Sequence, residues 1–249
     1  MPVARAQKLV RPDTSFGPFR FVEAVAWLIV ALACRIAGMN ETPWWPLALS
    51  GDSIAVLLAF MAIARRAFKM FGRPAPSHDF TFDQEARLSL RVFGAMVIVM
   101  ITATLLMALL GHASMAPYCL LGLDGMAFNG PTVFGRIWAA VIAALVLLLV
   151  LGADRNSGKI SIRATIRGAI HHGVRFGAAV AVLVVFYIAL GSIQGLVRSD
   201  IWGFWPITAS SQYAKNLIYF MFTLGFAVIR LWATLLILTY GLKPSPKTR

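Results

Sequence analysis

The feature that most restricts this chain is the near-absence of charge from six apolar stretches, at residues 19–39, 46–64, 92–111, 134–153, 176–197 and 215–240. Each is close to the ~20 residues that an α-helix needs to cross the hydrocarbon layer of a bilayer. Residues 92–111 contain no charged side chain, and neither do residues 137–153. In lipid the backbone polar groups of a segment must be satisfied inside that segment, so stretches of this kind fold as helices. The expected fold is all-α: a polytopic bundle of six transmembrane helices. Composition agrees, with 59% hydrophobic residues, 13% charged residues and a mean hydropathy of +0.76 over 249 residues, against about 25% charged in soluble domains.

A basic segment, residues 1–18, precedes the first stretch, an arrangement shared with secretory signals. The stretch is longer than the roughly 7 to 15 residues of a signal core. Arg35 also stands where a cleavage site would need small neutral residues. It is expected to remain as the first helix.

The net charge of +13 becomes intelligible once the basic residues are placed. Eighteen of the 23 fall on alternate connections: Arg5, Lys8, Arg11 and Arg20; Arg65, Arg66, Lys69, Arg73, Arg87 and Arg91; Arg155, Lys159, Arg163, Arg167 and Arg175; and Lys243, Lys247 and Arg249. The other side holds only Arg35, Arg136, Arg198 and Lys215, with Arg230 inside the last stretch. Basic residues are retained on the cytoplasmic side during insertion, so both termini are expected there, with the domain at 19–240 and a basic tail at 241–249. A bacterial inner membrane is the expected location. Charge spread over four segments without interleaved aromatics argues against a nucleic-acid partner.

The opposite side carries Trp44, Trp45, Tyr118, Trp202, Trp205 and Tyr213, the amphipathic rings expected at a lipid–water boundary. Trp45-Pro46 and Trp205-Pro206 each read as an interface anchor and helix start. Residues 112–134 include Leu120, Leu121, Leu123, Met126 and Phe128, with turn signals at Asp124-Gly125 and Asn129-Gly130. So apolar a connection is expected to form an interfacial or re-entrant piece resting on protein rather than lipid.

Three groups of residues invite a functional reading. Arg230 sits about halfway along the sixth stretch, where a buried cation is costly; it either faces the interior, toward a carboxylate or an anionic ligand, or snorkels to the interface. Arg35 and Asp52, on consecutive helices, are expected to form an ion pair that clamps the first hairpin. Between the fourth and fifth stretches, Arg155, Lys159, Arg163, Arg167 and Arg175 recur at helical spacing beside an apolar row, Ile162, Ile166, Ile170 and Val174. Residues 155–175 therefore read as an amphipathic cytoplasmic segment facing anionic lipid headgroups, or as a surface for a partner.

Packing signals are separate. Ala169, Gly173, Gly177 and Ala181 place a small residue every four positions, and Ala139, Ala143, Ala140 and Ala144 form two further rows, all marking close helix approach, within the bundle or between membrane subunits. Cys34 and Cys119 allow at most one bridge. Of the four histidines only His171 and His172 are adjacent, among cations that oppose a metal, and no nucleotide-binding loop or hydrolase motif occurs, so neither metal nor cofactor is expected. These features favour a non-enzymatic accessory subunit of a membrane assembly or a small permease component. The rivals are a stand-alone small-solute transporter with a polar path through Arg230 and Asp52, and a membrane enzyme acting on lipid-linked phosphate.

Overall fold

Residues 22–38, 43–70, 82–155, 162–204 and 209–242 are described by a computed structural model, and all their regular elements are α-helices. They are α1 (Val22–Gly38), α2 (Trp45–Met70), α3 (Phe82–Leu109), α4 (Ala116–Leu120), α5 (Asp124–Ala127), α6 (Val133–Arg155), α7 (Ile162–Phe204) and α8 (Ala209–Gly241). The N-terminal segment, Lys159, Trp205, the tail from Lys243, and the side chains of Arg155, Arg163, Arg167, Ala169, Gly173 and Trp202 lie outside the described residues.

Five helices, α2, α3, α6, α7 and α8, are long and apolar enough to cross a membrane. The chain is an α-helical membrane bundle. The first of the six expected spans corresponds to α1, whose 17 described residues make a helix of about 25 Å. That is shorter than the ~30 Å of a bilayer's hydrocarbon.

Burial separates a central helix from peripheral ones. Ala55 to Ala64 of α2 are all buried, so the helix is enclosed on every side. In contrast, α3 turns Ile98, Ile101, Leu105, Leu106 and Leu109 outward, and α7 exposes Val174, Val182, Val185, Ile193 and Leu196. Apolar surface on this scale would be a liability in water and is the natural face for lipid chains.

Two antiparallel hairpins frame the bundle. In the first, Gly51 faces the Cys34 sulfur and Gly38 faces Ala48, so α1 and α2 descend side by side. A Cβ on Gly51 would come within 3.2 Å of that sulfur. In the second, Arg198 lies over Tyr219, Arg230 over Tyr187 and Gly241 against Ala179, which fixes the register of α7 on α8. A Cβ at Gly241 would fall 2.4 Å from that of Ala179, so only glycine permits this approach.

Residues 116–128, within the connection expected to be interfacial or re-entrant, rest on protein, and this buried connection is called the re-entrant segment. The short helices α4 and α5 bury Cys119, Leu123, Met126, Ala127 and Phe128 among the long helices, with α5 against α2, α6 and α8. Gly122 and Gly125 permit the close approach, since a Cβ would meet Ile142 at 2.7 Å at the first and Ala139 at 2.8 Å at the second. Trp138 Nε1 donates to the Cys119 carbonyl at 2.9 Å. Both cysteines are free thiols.

The small-residue rows divide. Ala139, Ala140, Ala143 and Ala144 are buried in the face of α6. Gly177 and Ala181 are exposed on α7, with open space where a Gly177 side chain would be, while the buried face of that helix carries Phe176, Ala179, Leu183 and Tyr187. Backbone helix runs unbroken from Ile162 through Arg175 into the apolar part of α7, so the second half of the basic segment continues the fifth apolar stretch.

Candidate functional site

At one end of the bundle the ends of α1, α6, α7 and α8 and the loop after α5 diverge around a cavity of about 830 Å³. This lies within the usual range of ~300–1,000 Å³ for small-molecule sites. Its polar lining is cationic and neutral: Arg35 from α1, Asn129 from the loop, Arg136 from α6, Gln194 and Arg198 from α7, and Asn216, Tyr219 and Thr223 from α8. Leu32, Ile36, Phe128, Pro131, Phe220 and Phe222 supply apolar walls. No Asp, Glu, His or Cys occurs among the described lining residues.

Each arginine is held differently. Arg35 forms an ion pair with Asp124 and lies 5.1 Å from the centre of the Phe128 ring. Arg136 donates from Nε to the Gly130 carbonyl at 3.3 Å, and from Nη1 to the Ile188 carbonyl and Ser192 Oγ, both at 3.4 Å. These bonds are long, so a stronger acceptor could replace them. Arg198 is exposed and lies 5.6 Å from the centre of the Tyr219 ring. Neither Arg136 nor Arg198 has a carboxylate partner among the described residues. Gly191 makes room for this corner: a Cβ there would meet Asn129 Oδ1 at 2.5 Å and Arg136 Nε at 2.7 Å. The Asn129 amide nitrogen donates to the Gly191 carbonyl at 3.1 Å, while its buried Oδ1 accepts no hydrogen bond.

The carboxylate that Arg35 meets is Asp124 rather than Asp52, the partner expected from the sequence. The re-entrant segment places Asp124 at the α1–α2 hairpin, where it outcompetes a residue on the neighbouring helix. Asp52 is buried, within electrostatic range of Asp124 and Arg35, and neither of its carboxyl oxygens accepts a hydrogen bond. One guanidinium thus faces two carboxyl groups.

Among the described residues Arg230 is the largest fully buried side chain, with 1% exposure, so it does not snorkel. It forms no ion pair among the described residues, although Asp124 is within electrostatic range. Its guanidinium lies 3.8 Å from the centre of the Tyr187 ring, and its three side-chain nitrogens make no hydrogen bonds. The Tyr187 hydroxyl is 3.1 Å from the Met126 carbonyl and 2.9 Å from Thr234 Oγ1, which in turn donates to the Arg230 carbonyl at 2.6 Å.

Sequence reasoning singled out Arg35, Asp52 and Arg230 but did not group Arg136, Arg198, Asp124 or Tyr187 with them. The cation count contained a usable signal: three of the four basic residues on the sparsely charged side, Arg35, Arg136 and Arg198, line one cavity. The fourth, Lys215, is buried on α8 outside the lining. Of the cationic surface at 155–175 only the Arg175 side chain is described, and it is exposed. Among the described residues no three His, Cys, Asp or Glu side chains converge as a metal site would require. The arrangement suits an anion with an apolar body: guanidiniums and amides for the head, rings and aliphatic groups for the rest. Compared with protein-family models, curated proteins and solved structures, the chain matches none, so the charges and shape of the cavity are what identify a ligand class.

Proposed function

We propose that this integral membrane protein is a non-enzymatic permease component that accepts an organic anion, a phosphoryl group on an apolar body, into the arginine-lined cavity. The observation that carries this reading is the presence of two guanidiniums, Arg136 and Arg198, without carboxylate partners among the described residues, in a lining whose other described members are the ion-paired Arg35 and amide, hydroxyl and apolar groups. Two uncompensated positive charges match a phosphate monoester, which carries about −1.5 to −2 at neutral pH. A lone carboxylate would leave one cation unmatched. The lining offers groups that hold an anion rather than carboxylate, imidazole or thiol groups that would turn it over, which favours a permease over an enzyme acting on lipid-linked phosphate. The crowding of cations at residues 65–91 and 155–175 supports a cavity that opens away from the cytoplasm, in a bacterial inner membrane.

The test is a calorimetric titration of the intact, detergent-purified protein with phenyl phosphate. Saturable binding is expected, weakened roughly tenfold by Arg136→Gln or Arg198→Gln and more by the pair, since a charge-assisted hydrogen bond is worth about 1.5–3 kcal/mol. Repeating it with phosphatidic acid in the micelles separates the two sources of such a headgroup. If phosphatidic acid abolishes phenyl phosphate binding at low mole fraction, the ligand is a lipid; if it does not, the ligand arrives from water. Absence of binding by either, or full binding by the double variant, refutes the proposal.

A further inference from the structure

Below the cavity, α7 and α8 carry the same stripe deeper into the bundle. Thr223 lines the cavity, and Arg230 lies seven residues further along α8, two helical turns and about 10 Å away on the same face. On α7, Gly195 lines the cavity, Gly191 holds the Arg136 corner open, and Tyr187 follows one turn below. Arg136 and the Asp124 carboxylate are both within electrostatic range of Arg230. Arg198, Arg136 and Arg230 thus form a descending series of cations, the last against a tyrosine ring.

We propose that Arg230 is a second, occluded station for the anion that enters the cavity, and that the Tyr187 ring lying on its guanidinium is the gate that an arriving anion displaces. This rests on the cavity reading above and adds the step that follows binding. A fully buried cation whose donors bond to nothing is costly in a membrane, and such residues mark ligand or ion pathways. The aromatic face gives partial compensation while the station is empty, and an arriving phosphoryl oxygen would take the unused donors. Beyond Arg230 the stripe is closed by Leu183, Leu235, Leu238 and the Gly241–Ala179 contact, so the station is open to neither side.

The gate is held by a latch that is one proton short. The two hydroxyls of Tyr187 and Thr234 have two protons between them, but three contacts require one each: to the Met126 carbonyl, between the hydroxyls, and to the Arg230 carbonyl. One link is always unmade. The ring is therefore positioned by two bonds rather than three and can leave the guanidinium when an anion replaces it.

The experiment uses the intact chain reconstituted in liposomes, with entry of radiolabelled phenyl phosphate as the flux and calorimetric binding in detergent as the control. Arg230→Met keeps the volume and removes the charge. The expected result is binding within about twofold of wild type, a flux at least a hundredfold lower, and a higher Tm, because a costly unpaired cation is gone. A structural role predicts the reverse: a lower Tm with binding and flux falling together. Tyr187→Phe keeps the ring and deletes the latch, and flux is expected to rise severalfold at unchanged binding. If wild type neither binds nor admits the probe, the cavity reading falls and this one with it. If wild type binds while both variants transport at the wild-type rate, the station and gate alone are overturned; a Tyr187→Phe protein with unaltered flux overturns the gate even should Arg230→Met fail to fold.

Discussion

Arg35, in the last turn of α1, has a carboxylate as its partner, whereas Arg230, at the middle of α8, has an aromatic ring. Both guanidiniums sit on apolar helices, so the contrast isolates what the partner contributes. A buried charge pair roughly offsets its own desolvation and becomes part of the fold; removing one member strands the other. A cation over a ring gains only about 0.5–2 kcal/mol, and Arg230 retains unused donors besides. The first arrangement is what a structural clamp requires, and the second is what a binding group looks like before its ligand arrives.

The largest expected effect tests that contrast directly. Arg35→Leu leaves Asp124 and Asp52 facing one another without a cation, and a loss of about 3–5 kcal/mol is expected. Thermal unfolding of the purified protein would show it as a much lower Tm, against the rise expected for Arg230→Met. Equal losses at the two positions would erase the distinction and make Arg230 a structural residue.

Within the clamp the two carboxyl groups should also differ. Asp124→Asn removes the partner that Arg35 uses, but Asp52 is near enough to take over part of the role. A smaller loss of about 1–3 kcal/mol is expected. Asp52→Asn replaces a buried carboxyl whose oxygens accept no hydrogen bond with a neutral group of the same shape, so Tm should hold steady or rise. Comparable losses from both would show that all three residues act as one unit, which a double-mutant cycle would measure.

Gly191→Ala sharpens the comparison from the cavity side. Its Cβ would press on Arg136 and Asn129, forcing the guanidinium out of its cradle. Overpacking of this kind costs about 1–3 kcal/mol, and phenyl phosphate binding should weaken roughly tenfold. Because Gly191 touches neither Arg35 nor Arg230 among its closest contacts, wild-type binding in the variant would count against Arg136 as a ligand.

How far these sites could be read from the sequence depends on chain separation. The long helices follow from local hydropathy, and α2, α3, α6, α7 and α8 fall on their expected stretches because lipid enforces helix wherever the run is long enough. Arg230 and Asp52 were legible for the same reason, as charges inside apolar runs. The pairing of Arg35 was not: Asp52 is the acid inside the next apolar run, but Asp124, 89 residues from Arg35, is delivered by a segment whose depth no local pattern encodes. Tyr187 was invisible as a partner because one tyrosine on an apolar helix is ordinary, and only the α7–α8 register places its ring on Arg230. The cavity fell between these cases: its three arginines were counted as exceptions to the charge asymmetry, but grouping them requires the packing of four helices.

The re-entrant segment joins the two arginine sites, since α5 supplies both the Asp124 carboxylate to Arg35 and the Met126 carbonyl to Tyr187. Cys119, buried on the adjoining α4, reports on whether that segment is seated. Burial raises the pKa of its thiol above the ordinary cysteine value. The reactive thiolate is therefore scarcer at pH 8 than in a free cysteine, and its fraction continues to grow to higher pH than that of a free thiol. In Cys34→Ala protein, iodoacetamide labelling of Cys119 should be slower than that of a free cysteine at pH 8, keep rising with pH after the free cysteine's rate has levelled, and accelerate in Asp124→Asn, where the segment loses its tie to α1. If labelling in Asp124→Asn stays at the parent rate while Tm falls, the ion pair secures α1 alone, and the two arginines are not linked through α5.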